Sequence, residues 1–352
     1  MNDALVHGRP ALRGGLLALL AAILFGISTP LVQQLGRGLG PFATAALLYV
    51  GAAAVGALLR RKVEVEARVL RSDAARLLAV AVLGAVLGPV LLSWGLQRTS
   101  GTGASLMLTL EALFTALLAW RLYGESMDGR VWGAMLMLLA GGVLLILDQG
   151  LTPGGQWIGL LAVLAATAAW GMDNTLSRAL AERDPGQVVL IKAVLGAAAT
   201  TALAVAMGEP LPSVSAALGL LAVGATGYGL SLRFYLLAQR AFGAARTGSV
   251  FAFAPFIGAA LAFALGERSA GWGVAIGGGL MLLGVALHLA ESHAHEHEHE
   301  ALAHEHAHRH DDGHHDHHHD VMPVGAHSHP HLHEPTRHSH AHVPDAHHAH
   351  DH

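Results

Sequence analysis

Four ionisable side chains stand inside long apolar runs, where chemistry rather than solvation must account for them. Glu111 lies about ten residues from either end of an apolar stretch. Asp173, Lys192 and Arg233 lie in three later ones, nearer one end. A charge at such depth is costly in a bilayer, so each is expected to face a polar interior or a partner. Two negatives and two positives sum to zero, which leaves mutual pairing open as a structural reading. The functional reading is a central cavity in which Glu111 accepts a proton and Asp173, Lys192 and Arg233 orient a polar ligand. Trp170, Asp173, Asn174 and Ser177 follow helical spacing along one stripe, and Tyr228, Ser231 and Tyr235 make another.

A second chemistry lies at the chain's end. Of 26 histidines, 24 follow Glu291, leaving His7 and His288 before it. They alternate with small or acidic residues, and the pattern doubles. The run from His297 and His299 to His304, His306 and His308 returns as His331 and His333 to His338, His340 and His342, and His314-His315 returns as His347-His348. In an extended chain alternate residues project to one side, so His-x-His offers two imidazoles to one ion. Imidazole without thiolate suits Zn, Ni, Co or Cu(II), and the chain has no cysteine. These ions are expected on the tail, with no cofactor required by the rest. A pH-sensing tail is the competing reading, since unperturbed imidazole titrates near roughly pH 6.5. Low hydrophobicity and the lack of a helical period predict disorder.

The elements that must position these groups are membrane helices. Of 352 residues 53% are hydrophobic and 13% are charged, about half the charged share of a soluble domain. Ten apolar stretches are long enough to cross a bilayer: about 15–35, 41–59, 77–97, 101–122, 131–148, 157–178, 187–207, 214–238, 244–266 and 271–290. Pro30, Pro89 and Pro255 are expected to kink or break their helices, and Gly84 and Gly88 to serve close packing. The organisation expected is a cytosolic N-terminus over 1–14, a first five-helix unit over 15–149, a second over 150–290, and a His-rich cytosolic tail over 291–352. With the N-terminus cytosolic, fourteen Lys and Arg flank the inner side against Arg37, Arg98 and Arg268 outside, the bias the positive-inside rule requires. The first apolar run ends without a small-residue cleavage site, so it reads as a span.

The body repeats. Gln97-Arg98 aligns with Gln239-Arg240 at an offset of 142, as do Gly101 with Gly243 and Gly124-Glu125 with Gly266-Glu267. Phe25-Gly26 aligns with Trp170-Gly171 at 145. Five spans per unit force opposite orientations, the arrangement of alternating-access carriers. Glu125 and Glu267 are expected to be turn and capping residues.

These motifs, with Gly95-Leu96-Gln97-Arg98-Thr99-Ser100 and the run from Ala254-Pro255-Phe256 to Gly266-Glu267, resemble EamA-type carriers of the drug/metabolite transporter superfamily over roughly 11–290. The resemblance implies an all-α fold of ten transmembrane helices in two inverted repeats. It also implies outward movement of small metabolites or drugs, often coupled to protons. One departure stands out: where the second half has Pro255, the first has Leu113, with Glu111 two residues earlier.

The transport cavity is expected to draw on Glu111, Asp173, Asn174, Lys192, Arg233 and Tyr228. The leading expectation is a bacterial inner-membrane exporter of a small polar metabolite or drug with a metal-binding regulatory tail. The alternatives are a divalent-metal exporter whose tail gathers ions, and a membrane-anchored metal store. No soluble domain and no nucleophile–base pair points to an enzyme. The partners expected are a small-molecule substrate, the lipid bilayer and divalent metal ions, without nucleic acid, and a homodimer stays open.

Overall fold

The computed structural model describes residues 10–60, 68–123, 127, 129–150, 157–177, 180, 183–242, 244–267 and 271–289, and within the tail 293–299, 302–308, 327–333 and 336–342. The body is helical: α1 (Pro10–Leu35), α2 (Pro41–Leu58), α3 (Ala74–Ala81), α4 (Gly88–Leu96), α5 (Gly101–Met107), α6 (Leu110–Tyr123) and α7 (Gly129–Gly150) come first. They are followed by α8 (Trp157–Ser177), α9 (Pro185–Ala206), α10 (Val214–Val223), α11 (Ser231–Phe242), α12 (Ala244–Phe251), α13 (Ala254–Ala264) and α14 (Trp272–Leu289).

Among the described residues, seven stretches are long and apolar enough to cross a bilayer: 13–35, 41–58, 71–96, 101–122, 129–148, 186–206 and 214–238. Ala254–Ala264 and Trp272–Leu287 are apolar but shorter. The protein is therefore a multi-pass helical membrane protein. Seven of the ten expected stretches correspond to these within a few residues, and several of them are built from shorter helical pieces.

The pieces have local causes, and they recur in both halves. A π-helical turn, Val82–Leu87, joins α3 to α4, and a second, Gly224–Leu230, joins α10 to α11. Pro89 brings no N–H to the first, so a carbonyl in the preceding turn loses its ordinary partner and the helix widens. A break at Leu108-Thr109 separates α5 from α6, and one at Ala252-Phe253 separates α12 from α13. Pro255 starts α13, where its missing donor costs nothing. At the first break the Thr109 hydroxyl instead donates to the Leu106 carbonyl, 2.8 Å, a local bond that competes with the helical ladder. Pro30 lies inside α1.

The packing repeats under exchange of the halves. α1 packs on α13 as α8 packs on α6. α2 packs on the second π turn as α9 packs on the first. α2 with α9 and α7 with α14 pair equivalent helices. Backbones meet closely at these seams: a Cβ on Gly224 would stand 2.0 Å from the Leu48 carbonyl oxygen, so only glycine fits. The core gathers Leu48, Leu92, Leu96, Met107, Leu145, Leu160, Leu220 and Met281. Exposed Leu136, Leu147, Val205 and Leu218 form an outer apolar surface suited to lipid.

The tail departs from the expected disorder in four segments. β1 (His293–His299) pairs antiparallel with β4 (Thr336–His342), and β2 (Leu302–His308) with β3 (His327–His333). Each ladder joins one cassette to the other. The two-residue period that puts histidines on one side of an extended chain is also the period of a strand. The register sets His293 opposite His342, His295 opposite His340 and His297 opposite His338 in one ladder. In the other it sets His304 opposite His331, His306 opposite His329 and His308 opposite His327.

Candidate transport cavity

The first π turn positions the cavity wall. It turns the Gly84 carbonyl toward α2 and α8, where it accepts from the Tyr49 hydroxyl at 2.6 Å and from the Trp170 indole N–H at 3.0 Å. A Cβ on Gly84 would stand 2.0 Å from the Asp173 carboxylate and 2.6 Å from the Lys192 ammonium. Gly88 similarly abuts the Trp170 indole. These glycines, expected to serve close helix packing, also admit the polar groups of the site.

Asp173, on α8, and Lys192, on α9, form a buried ion pair through Asp173 Oδ2. The Ser177 hydroxyl, one turn along the Trp170 stripe, donates to Asp173 Oδ1 at 3.4 Å. Glu111 is not part of that pair. It sits in the first turn of α6, just past the break at Leu108-Thr109, and accepts from the Asn174 amide at 2.6 Å. The Asn174 and Asp173 side chains thus serve different carboxylate systems from adjacent positions on one helix.

Glu111, Asp173, Asn174, Lys192 and Tyr228 all line one cavity of about 170 Å³, with Ser231 and Tyr235 of the second stripe. Five of the six expected cavity residues therefore meet. Arg233 is the exception and stands outside this lining. On a helix, residue 233 faces away from the stripe 228, 231 and 235.

The remaining wall is aromatic. Phe25 makes edge contacts with Trp170 and Tyr228 at 6.4 and 6.1 Å between centroids, and packs on Phe251 at 5.4 Å. Tyr49 meets Tyr228 at 5.8 Å, and Tyr235 meets Phe251 at 4.9 Å. Such pairs are geometrically specific and rigidify a wall. Phe25, Tyr49, Gly84 and Phe251 were not singled out as cavity residues. The available signal was that Phe25 and Trp170 occupy equivalent places in the two repeats.

The tail sites are placed by backbone register alone. Among the expected ligands, His297, His299, His304, His306, His308, His331, His333, His338, His340 and His342 lie in the strands, and His347 and His348 lie outside the described residues. Glu125 also lies outside them.

A multi-pass helical bundle with a partly charged cavity among its helices has the architecture of a membrane carrier. The EamA-like transporter family model matches residues 12–147 and again 157–290, and the chain belongs to that family: it is a membrane transporter rather than an enzyme. It is similar to an uncharacterized transporter of Methanothermobacter thermautotrophicus, 28% identical over 286 residues, covering 75% of this chain and 82% of that protein. A crystal structure with 22% identity shares the fold, with a TM-score of 0.55 over 78% of this chain and 95% of the other.

Proposed function

We propose that the protein is a secondary exporter of a small amine-bearing metabolite, with ten spans in two inverted five-span repeats, both termini cytosolic, in a bacterial inner membrane. The observation that carries this reading is the charge arrangement of the cavity. Asp173 and Lys192 cancel each other, while the partner of Glu111 among the described residues is a neutral amide. The lining is therefore one negative charge in excess, set among aromatic faces. A protonated amine matches both features, through the carboxylate and through cation–π contact. The volume of about 170 Å³ is below the roughly 300 Å³ at which drug-sized pockets begin, which favours a small substrate. Glu111 is the group that a proton and the substrate cation would exchange.

The recurrence of π turns, helix breaks and packing pairs supports two equivalent repeats, and the Lys/Arg bias supports the orientation. The tail is a metal-binding regulator in this reading. The facing histidines of the strand register favour Zn, Ni, Co or Cu(II), because cross-strand neighbours are within reach of one ion.

The test is transport in everted membrane vesicles energised by a pH gradient, with a panel of small radiolabelled amines set against Zn(II), Ni(II) and Co(II). Amine accumulation that collapses with the gradient supports the reading. Accumulation of metal without amine replaces it with the metal-exporter reading, and accumulation of neither under a sustained gradient overturns carriage of both classes.

A further inference from the structure

The second π turn, Gly224–Leu230, carries Tyr228 to the cavity wall. Its ring is fixed from two sides, by the edge contacts with Phe25 at 6.1 Å and with Tyr49 at 5.8 Å between centroids. The backbone before it is equally tight: a Cβ on Gly227 would stand 2.6 Å from the Ser28 Cβ. Tyr228 is 9% exposed, and its hydroxyl makes no hydrogen bond among the described residues. Buried polar groups are ordinarily paired, so an exception at a cavity wall calls for a partner that comes and goes. The ring contacts keep the phenol from swinging away to find one elsewhere.

The polar groups around it are committed. The Tyr49 hydroxyl and the Trp170 indole both donate to the Gly84 carbonyl, at 2.6 and 3.0 Å. The Ser231 hydroxyl donates to the Ala21 carbonyl at 2.9 Å. Ser28, packed on Gly227, donates to the Phe25 carbonyl at 2.6 Å. Asp173 and Lys192 hold each other, and the Asn174 amide serves Glu111. The Glu111 charge and the Tyr228 hydroxyl are left for a ligand, and both line the same cavity.

We infer that Tyr228 is a specificity-determining residue that reads a hydroxyl on the transported amine, so that the substrate is a small amino alcohol rather than an alkylamine or an amino acid. This rests on the amine reading above and narrows it. The ammonium answers Glu111. The substrate hydroxyl both donates and accepts, so it suits the phenol whichever way the phenolic proton points. An alkylamine of the same size leaves the phenol unpaired, and a site built to bond a hydroxyl rejects the analogue that lacks it. An amino acid carries a carboxylate as well. Its net charge is zero, so the excess negative charge of the lining stays uncancelled, and Lys192 is already held by Asp173.

The test is counterflow by the full-length protein in proteoliposomes. The probes are radiolabelled ethanolamine and radiolabelled propylamine, which differ by a hydroxyl in place of a methyl group, with unlabelled glycine as competitor. The parent should carry ethanolamine with a KM about tenfold below that for propylamine, the equivalent of about 1.4 kcal/mol, and glycine should not compete. Tyr228→Phe deletes the hydroxyl and keeps the ring, and it should bring the ratio of the two KM values close to one. Its melting should match that of the parent, because the hydroxyl has no partner in the protein to lose. A structural role would instead lower the melting and impair both amines alike, leaving the ratio unchanged. Equal KM values in the parent, a preference that survives in Tyr228→Phe, or competition by glycine as strong as that by ethanolamine overturns the inference and leaves the amine reading in place. Counterflow of neither amine by the parent overturns both.

Discussion

Phe25 and Trp170, which occupy equivalent places in the two repeats, meet edge to face at 6.4 Å on the wall of the cavity. Each is followed by a glycine at a helix seam: Gly26 abuts the Ala254 carbonyl, and Gly171 abuts Phe114. The repeated dipeptide therefore does two jobs at once, with an aromatic face toward the cavity and a bare backbone toward the neighbouring helix. The two jobs are not symmetric in detail. Trp170 donates to the Gly84 carbonyl, a bond that Phe25 has no group to make.

The Gly84 carbonyl joins three helices through that bond and through Tyr49. Gly84→Ala puts a methyl group into the space of the Asp173–Lys192 pair. Both partners are held by packed helices, so the pair must separate or the π turn must move. The expected result is a thermal midpoint several degrees lower in detergent, with a loss of about 1–3 kcal/mol as for other overpacked sites. Gly88→Ala should behave similarly through Trp170, whereas Gly129→Ala, with open space around its Cβ, should be neutral. Differential scanning fluorimetry of the three variants makes the comparison.

The ion pair itself has a signed expectation. Asp173→Asn leaves the Lys192 ammonium with 15% of its side-chain surface exposed and without its carboxylate. Removing one partner of a buried pair typically costs about 3–5 kcal/mol, while replacing both with neutral groups is often close to neutral. Asp173→Asn should therefore be poorly stable, and Asp173→Asn with Lys192→Met should recover most of the loss. Melting of the two variants beside the parent checks this. A double variant no better than the single one would show that Lys192 takes its main support elsewhere.

Much of the fold was legible because bilayer crossing imposes a length and a polarity that composition alone reveals. The breaks were less legible. Pro255 announced the one at Ala252-Phe253, but the break at Leu108-Thr109 has no proline and depends on a threonine hydroxyl turning back on its own helix. At the site, Glu111, Asp173 and Lys192 stood out because charge in an apolar run is costly. Which carboxylate would take Lys192 could not be read from spacing, since α8 and α9 bring Asp173 to it across a connection whose geometry the sequence does not display. Tyr49 and Gly84 were missed because an aromatic residue or a glycine in a membrane helix carries no distinguishing signal until its neighbours are known. Arg233 was over-read, as depth alone said nothing of which way its helix is turned.

The tail offers a test independent of transport. The full-length protein in detergent, titrated with Zn(II) or Ni(II), is expected to bind several ions per chain, and the chain ending at Ala290 to lose them. The facing positions in the two ladders, three pairs in each, set the scale. Imidazole ligates as the neutral base, so acidification through roughly pH 6.5 should weaken binding and release metal. Isothermal titration calorimetry at two pH values reads both effects. Fewer than one ion per chain at neutral pH would remove the metal role of the tail.

Glu111 carries the coupling prediction. It faces an aromatic cavity with Asn174 as its hydrogen-bond partner, and its negative charge calls for a proton or a substrate cation to cancel it. Glu111→Gln keeps the side-chain shape, can still bond Asn174, and cannot exchange a proton. Uphill transport driven by a pH gradient should be lost, while insertion and melting stay close to those of the parent. A structural ion pair between Glu111 and Lys192 would give a different pattern: the Gln variant would be unstable, and neutralising Lys192 as well would rescue it. The observed partnership of Lys192 with Asp173 argues against that rescue, and Glu111→Gln with Lys192→Met should be worse than Glu111→Gln alone, because it orphans Asp173. Flux in everted vesicles, with and without the gradient, together with the melting of the single and double variants, separates the two. Uphill accumulation by the Gln variant at near the parental rate would make Glu111 a structural residue and leave the coupling to another group.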